Sequence, residues 1–141
     1  MKPWLSQAAV QFRKQVDECY PDRNRKSDGW VASLAHLSRA SKSDHNPDPK
    51  TGCVRALDIT ARLSDDKRIA ASLADQIRLY GKNHGRIAYV IFEGKIASPV
   101  LRWRFRKYKG YSPHNHHIHI SFKKDQDTNS AEFDIPLLKG N

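Results

Sequence analysis

The stretch HNHHIHISF, residues 114–122, decides the fold, because it contains the clearest strand pattern in the chain. Apolar residues at positions 118, 120 and 122 would face one side of a strand. His117 and His119 would then share the other side with Ser121, about 7 Å apart at about 3.3 Å per residue. Two imidazoles on a strand that buries its other side suit a metal site or an acid/base pair. A solvated polar strand face is the alternative.

A second pair of segments carries candidate ligands. SDHNP, residues 43–47, places His45 in a turn-rich loop, and CVRALDI, residues 53–59, reads as a short strand that ends near Asp58. A carboxylate on an otherwise apolar strand face needs a partner, because burying an unpaired charge is costly. That partner is either a salt bridge or cap, or a metal ion. In the second case His45, Asp58 and one histidine of 114–119 would supply three protein ligands, as in catalytic zinc sites.

The remaining pattern predicts an α+β fold, a small antiparallel sheet flanked by helices. Apolar spacing predicts helices over 4–19, 30–37 and about 65–80, with Ser64 as the cap of the third and Gly81 at its end. A run that is apolar on both faces, 87–92, predicts a central strand. Glu93 and Gly94 form a hairpin turn to a return strand at 95–98. The polar tail, 125–141, is expected to wrap the surface or fray.

Composition limits the class of protein. The chain has 141 residues, enough for one domain with its own core, and a net charge of +10. Two cysteines exclude a disulfide-rich scaffold, and no apolar run approaches the roughly 20 residues of a membrane-spanning helix. The N-terminus lacks the layout of a secretory signal. The positive charge fits nucleic acid, a membrane surface or an anionic bacterial wall as partner, or simple solubility.

The two ligand-bearing segments together resemble one group of zinc peptidases. This group contains the D-alanyl-D-alanine carboxypeptidases and the phage L-alanyl-D-glutamate endopeptidases, and it shares its fold core with lysostaphin-type enzymes and the hedgehog domain. Residues 43–58 and 113–121 carry the resemblance, and Ser27-Asp28-Gly29 matches an Asp-Gly segment found in small phage members. The resemblance covers about 27–122. It implies a single zinc peptidase domain over 1–141, of a phage endolysin type.

Carried over by position, the resemblance implies His45, Asp58 and His119 as zinc ligands. It places His117 near the scissile bond as the first choice for proton transfer, with His114 second. Two departures stand out. His45 and Asp58 are thirteen residues apart instead of the family's seven, and the position of the family's general-base carboxylate holds His116. No carboxylate lies between Glu93 and Asp125, so either a histidine takes the proton or a carboxylate arrives from elsewhere.

Three further residues are candidates for binding substrate. Arg39 could hold a carboxylate bidentately, with an ordinary surface arginine as the alternative. Trp103 and Tyr108 precede the histidines and could line a cleft, with plain core aromatics as the alternative.

The sequence thus predicts a zinc-dependent peptidoglycan peptidase. We expect bacterial peptidoglycan as partner, no nucleic acid, no membrane insertion and a monomer that waits in the host cytoplasm until released to the wall. The rival is a metal-dependent nuclease or a single-strand binder, because basic and aromatic residues alternate over 102–109.

Overall fold

The computed structural model describes residues 2–31, 43–110 and 114–140. Helices α1 and α2 are Gln7–Cys19 and Arg68–Asn83. The strands, in chain order, are β1 Trp4–Leu5, β2 Cys53–Val54, β3 Ala56–Thr60, β4 Ile87–Phe92, β5 Lys95–Ala97, β6 Arg106–Lys107 and β7 His117–Phe122. Single 3₁₀ turns lie at Val100–Trp103, Lys124–Gln126 and Pro136–Leu138.

Five strands form one sheet in the order β3-β7-β4-β5-β6, and every neighbouring pair is antiparallel. The α+β class with a small antiparallel sheet and helices is therefore confirmed. β7 lies between β3 and β4, so the strand with the histidine alternation is an interior strand. β4 is also interior, as its apolar run predicts.

One face of the sheet is covered by the helices. α1 packs against β3 and α2 packs against β4. Fully buried apolar residues on this face include Leu57, Ile118 and Ile120. Helix α2 meets them with residues at three- and four-residue spacing, Ala70, Leu73, Ala74 and Ile77. The core therefore occupies the helix side of the sheet and leaves the opposite face for polar groups.

The N-terminus differs from the predicted helix over 4–19. Trp4–Leu5 is a strand that pairs in parallel with Cys53–Val54, and the helix begins at Gln7. The Trp4 backbone N–H donates to the Gly52 carbonyl, which ties this end of the chain to the loop before β3. Tertiary pairing has overridden a helical apolar pattern here.

Helix α2 also differs from its predicted limits. It begins at Arg68, after Ser64, and it continues through Gly81 to Asn83. Gly81 does not end the helix. The Trp103 ring packs directly over it, where a Cβ would lie 2.6 Å from ring carbons. Glycine here provides space for a large side chain rather than a stop signal.

The C-terminal segment belongs to the core, contrary to the expectation that it wraps or frays. Phe133, Ile135 and Leu138 are at most 1% exposed. The Gln15 side chain of α1 donates to the Phe133 and Leu138 carbonyls and accepts from the Phe133 N–H. Hydrophobic anchors spaced through a polar segment fix it against α1. Among the described residues, no helix has the length and apolar character required to cross a membrane.

Candidate metal centre

Antiparallel pairing places the predicted ligands on one face of the sheet. Asp58 of β3 lies directly opposite His119 of β7, and Thr60 lies opposite His117. Directly opposed residues point to the same side, so Asp58, His119 and His117 all face away from the helices. His45 reaches this face from the loop before β2. The His and Asp residues far apart in the sequence are therefore brought together.

The ligand atoms converge on one carboxylate oxygen. His45 Nε2 lies 3.2 Å from Asp58 Oδ1, and His119 Nδ1 lies 3.1 Å from the same oxygen. Charge-assisted N–H···O⁻ bonds are usually shorter, about 2.7–2.9 Å. Zn–N and Zn–O bonds of about 2.0–2.2 Å place tetrahedral ligand atoms about 3.3 Å apart. The observed separations fit three ligands around one ion, and the residues present fit zinc.

Each histidine is held by a second contact that fixes which nitrogen faces the carboxylate. His45 Nδ1 lies 2.7 Å from the Trp30 carbonyl, to which it can only donate, so the Nε2 lone pair is directed at the centre. His119 Nε2 lies 2.8 Å from the Ser121 hydroxyl. Such partners orient metal-binding imidazoles and raise their basicity. His45 and His119 are 7% and 3% exposed, so both are held within the protein.

Residues 27–30 form a further edge beside β3 that delivers the Trp30 carbonyl. Gly29 forms an antiparallel bridge with Asp58, each donating its N–H to the other's carbonyl. Asp28 anchors this edge: it accepts a bidentate pair from buried Arg23 at 2.9 and 2.6 Å, and it also accepts the Thr60 N–H. The segment Ser27-Asp28-Gly29 thus has a structural role, since it positions the Trp30 carbonyl that contacts His45.

The electrostatics favour a negative carboxylate beside nitrogen donors. Burial by itself would raise the pKa of Asp58, but hydrogen bonds and charge from His119 and His45 outweigh it and hold that pKa well below its usual range. Burial would lower the pKa of His45, yet Asp58 and the Trp30 carbonyl raise it. A divalent cation would stabilise the same negative carboxylate and would compete with protons for the histidine nitrogens.

His117 and His114 lie at the open side of the centre. His117 Nε2 is 3.5 Å from Asp58 Oδ2, and its side chain is 21% exposed, against 4% for His119. Burial lowers the pKa of His117, and Asp58 offsets this only in part. The His114 ring lies 4.9 Å from the His117 ring and 5.1 Å from that of His119. Asp58, His114 and His117 form a second set that satisfies metal-ligand spacing and shares the same carboxylate.

His114 adopts a backbone conformation that is rare outside glycine, with φ of +58°. Its carbonyl accepts the Glu93 N–H at 3.1 Å, which ties this residue to the β4–β5 hairpin. Positive φ at a residue beside a candidate site is a kind of strain that functional sites retain.

Tyr89 packs beside the candidate ligands. The Tyr89 ring stacks on His119, with centroids 5.5 Å apart. Burial raises the pKa of the Tyr89 phenol, and the negative charge of Asp44 raises it further. Asp44 directly precedes His45, so its negative charge lies on the same loop as that candidate ligand.

Sequence reasoning did not assign roles to Tyr89, Asp44 or the Trp30 carbonyl. A register shift between Ile87 and Tyr89 allows Ile87 to lie in the core while Tyr89 faces the centre, and alternation alone hides this. The side on which Ser121 lies was readable from alternation, but its contact with His119 was not.

The three predicted substrate-binding residues have different placements. Tyr108 lies beside the centre, with its ring 5.6 Å from that of His114. Trp103 is 6% exposed and packs on Gly81 of α2, so it is a core residue that does not line the cleft. Trp103 lies on the helix side of the sheet, whereas the candidate ligands face the other side. Arg39 falls outside the described residues.

Comparison with known proteins gives no relative: no protein-family model, no curated protein and no solved structure matches the chain. Membership of the zinc peptidase group stays a prediction made from the sequence.

Proposed function

We propose that the protein is a zinc-dependent peptidase that cleaves a peptide bond in bacterial peptidoglycan, in the manner of a phage endolysin. The observation that carries the proposal is the convergence of His45 Nε2, Asp58 Oδ1 and His119 Nδ1 at 3.1–3.2 Å, with a further histidine at the open side. The sequence resemblance supplies the substrate class.

Two imidazoles and one carboxylate form a ligand set that suits zinc and keeps a position for water or substrate. When bound, zinc supplies Lewis-acid activation, lowering the pKa of a water ligand and polarising a carbonyl. The protein's own contribution is to fix the ligands: Trp30 and Ser121 orient the histidines, and Gly29 pairs with the strand that carries Asp58.

His117 is the residue best placed to move protons. Its Nε2 lies 3.5 Å from Asp58 Oδ2, on the solvent side of the candidate ligands. In peptide hydrolysis it takes the proton of the attacking water and delivers it to the amine nitrogen that leaves when the C–N bond breaks. His114 and Tyr108 would line the same opening.

The test is mass spectrometry of fragments released from purified peptidoglycan of several cross-link types. The zinc-loaded protein should release peptides with a new amino or carboxyl terminus at one bond, a chelator should stop this, and added zinc should restore it. His117→Ala serves as the matched inactive control that retains the metal. Intact peptidoglycan of every type after incubation with the zinc-loaded protein would contradict the proposal.

A second function is favoured by a different observation. Arg102, Arg104, Lys107 and Lys109 are all exposed on and around β6. This basic edge fits a polyanion, so a metal-dependent nuclease or single-strand binder is the alternative. Oligonucleotide retardation with an affinity that falls steeply with salt would favour it. Cleavage of peptidoglycan without retardation would favour the peptidase.

A further inference from the structure

Arg106 of β6 lies on the same face of the sheet as the candidate metal centre. The register pairs His119 with Ile91, Ile91 with Ile96, and Ile96 with Arg106. Paired residues of an antiparallel sheet point to the same side. One row of side chains therefore runs across the sheet from His119 to Arg106. Lys107, the next residue, points to the opposite side.

Among the described residues, no carboxylate forms an ion pair with the Arg106 guanidinium. It is half-buried, and its Nε is buried with no hydrogen-bond acceptor among the described residues. Its hydrogen bond from Nη2 to Ser98 Oγ is 3.5 Å long, beyond the usual range. The remaining residues also include no Asp or Glu that could form an ion pair with Arg106; these are residues 1, 32–42, 111–113 and 141.

Two other arginines, Arg23 and Arg55, are paired with carboxylates, and Arg86 donates instead to the Gln126 side chain and to backbone carbonyls. Arg23 binds Asp28 and Asp17, and Arg55 binds Asp48 and Asp127. Leaving guanidinium donors buried without an acceptor is costly. The chain carries that cost at Arg106, on the face that holds the centre.

The surroundings of Arg106 connect it to the centre. Tyr108, two residues further along, faces the same way and places its ring beside His114. Arg106 contacts Ser98, which directly follows β5. Because Ala97 pairs with Val90, the register places Ser98 across from Tyr89, whose ring stacks on His119. An arginine with no carboxylate partner among the described residues thus lies on the same face of the sheet as the candidate ligands, three strands from His119.

We propose that Arg106 binds a carboxylate of the substrate and so selects anionic peptides, an inference that rests on the proposed peptidase function. Guanidinium and carboxylate match in shape and form two parallel hydrogen bonds. Three strand spacings of about 4.8 Å separate the Arg106 backbone from that of His119, about 14 Å in all. This is the span of about four extended residues. The bound carboxylate therefore belongs to the peptide on one side of the cleaved bond, not to the reacting carbonyl.

The experiment compares two synthetic probes: the stem peptide L-Ala–γ-D-Glu–L-Lys–D-Ala–D-Ala with free carboxylates, and the same peptide with its carboxylates amidated. Zinc-loaded wild type should prefer the free acid in kcat/KM and in calorimetric binding. Arg106→Gln should lower kcat/KM for the free acid by roughly tenfold to a hundredfold, through a higher KM, and should leave kcat/KM for the amide unchanged. Arg106→Lys should recover part of the preference.

Lys107→Gln is the matched control, since it removes the same charge from the same strand on the other side of the sheet. It should leave the preference unchanged. Equal binding of acid and amide by wild type, or an equal effect of Arg106→Gln on both, overturns the inference. Calorimetric binding decides it even if neither peptide is cleaved, and cleavage without carboxylate preference would leave the peptidase proposal standing.

Discussion

Asp58 is the residue on which the centre depends, because its two oxygens face both sets of histidines. Oδ1 contacts His45 and His119, and Oδ2 faces His117. Both sets satisfy the spacing of metal ligands, so single substitutions can show which set binds the ion.

His45→Ala, Asp58→Ala and His119→Ala should each abolish zinc binding, because each removes one of three ligands. His117→Ala should retain one zinc per chain and lose turnover by roughly 10²- to 10⁴-fold, the usual effect of removing an acid/base group. Elemental analysis of dialysed protein and peptide release from peptidoglycan measure the two properties. Loss of zinc from His117→Ala would assign the ion to the other set.

Ser121 supports the centre without being a ligand, since its hydroxyl lies 2.8 Å from His119 Nε2. Ser121→Ala removes that partner and should weaken zinc binding by roughly tenfold to a hundredfold while the fold is retained. Competition with a chromophoric chelator measures the affinity, and circular dichroism monitors the fold. Unchanged affinity would show that the hydroxyl does not orient the imidazole.

Single elements position the centre, and the 27–30 edge is the clearest case. Asp28 pairs with Arg23, whose side chain is 1% exposed, while the side chains of the neighbouring Arg25–Asp17 pair are 48% and 38% exposed. A buried pair that loses one member leaves an uncompensated charge, whereas an exposed pair contributes little.

Asp28→Asn should lower the free energy of unfolding by about 1–3 kcal/mol and weaken zinc binding, since the edge carries the Trp30 carbonyl that orients His45. Urea unfolding and zinc competition measure the two effects. Arg25→Ala is the control and should change stability by less than about 1 kcal/mol. Equal effects of the two substitutions would contradict the role of this edge.

At Gly81, helix propensity and packing oppose each other. Alanine would favour the helix by about 1 kcal/mol, but its Cβ would lie 2.6 Å from the Trp103 ring. Overpacking costs about 1–3 kcal/mol, so Gly81→Ala should destabilise the fold in thermal unfolding. Gly85→Ala, whose added Cβ would meet nothing closer than 3.8 Å, should be close to neutral. A stabilised Gly81→Ala would mean that the ring moves without cost.

Strand periodicity predicted much of the centre and of the sheet. Alternation over 117–122 placed His117 and His119 on one side, and the apolar run predicted β4 as an interior strand. Periodicity did not predict the shift at Tyr89 or the helical role of Gly81, because both depend on contacts from distant segments. The burial of Phe133 was missed for the same reason.

For the whole molecule, ion pairs couple distant segments and make stability depend on pH. Arg55 joins Asp48 of the loop to Asp127 of the C-terminal segment. The hydrogen bond from Arg55 lowers the pKa of Asp48 to about 2. A lowered carboxyl pKa contributes stability above the unfolded value, near 3.8, and that contribution is lost as pH falls through the folded value.

Wild type should therefore lose stability relative to Asp48→Asn as the pH falls from about 4 to about 2, and the difference between them should be constant above pH 5. Unfolding in urea across this range measures it. Parallel stability curves for the two proteins down to pH 2 would show that the pair does not link the segments.

We propose that His45, Asp58 and His119 share one zinc ion. The most direct measurement is a crystal structure of the protein grown with zinc, using anomalous scattering to locate the metal. A single ion should lie within about 2.0–2.2 Å of His45 Nε2, Asp58 Oδ1 and His119 Nδ1. An ion bound instead by Asp58, His114 and His117, or no ion on this face of the sheet, would contradict it.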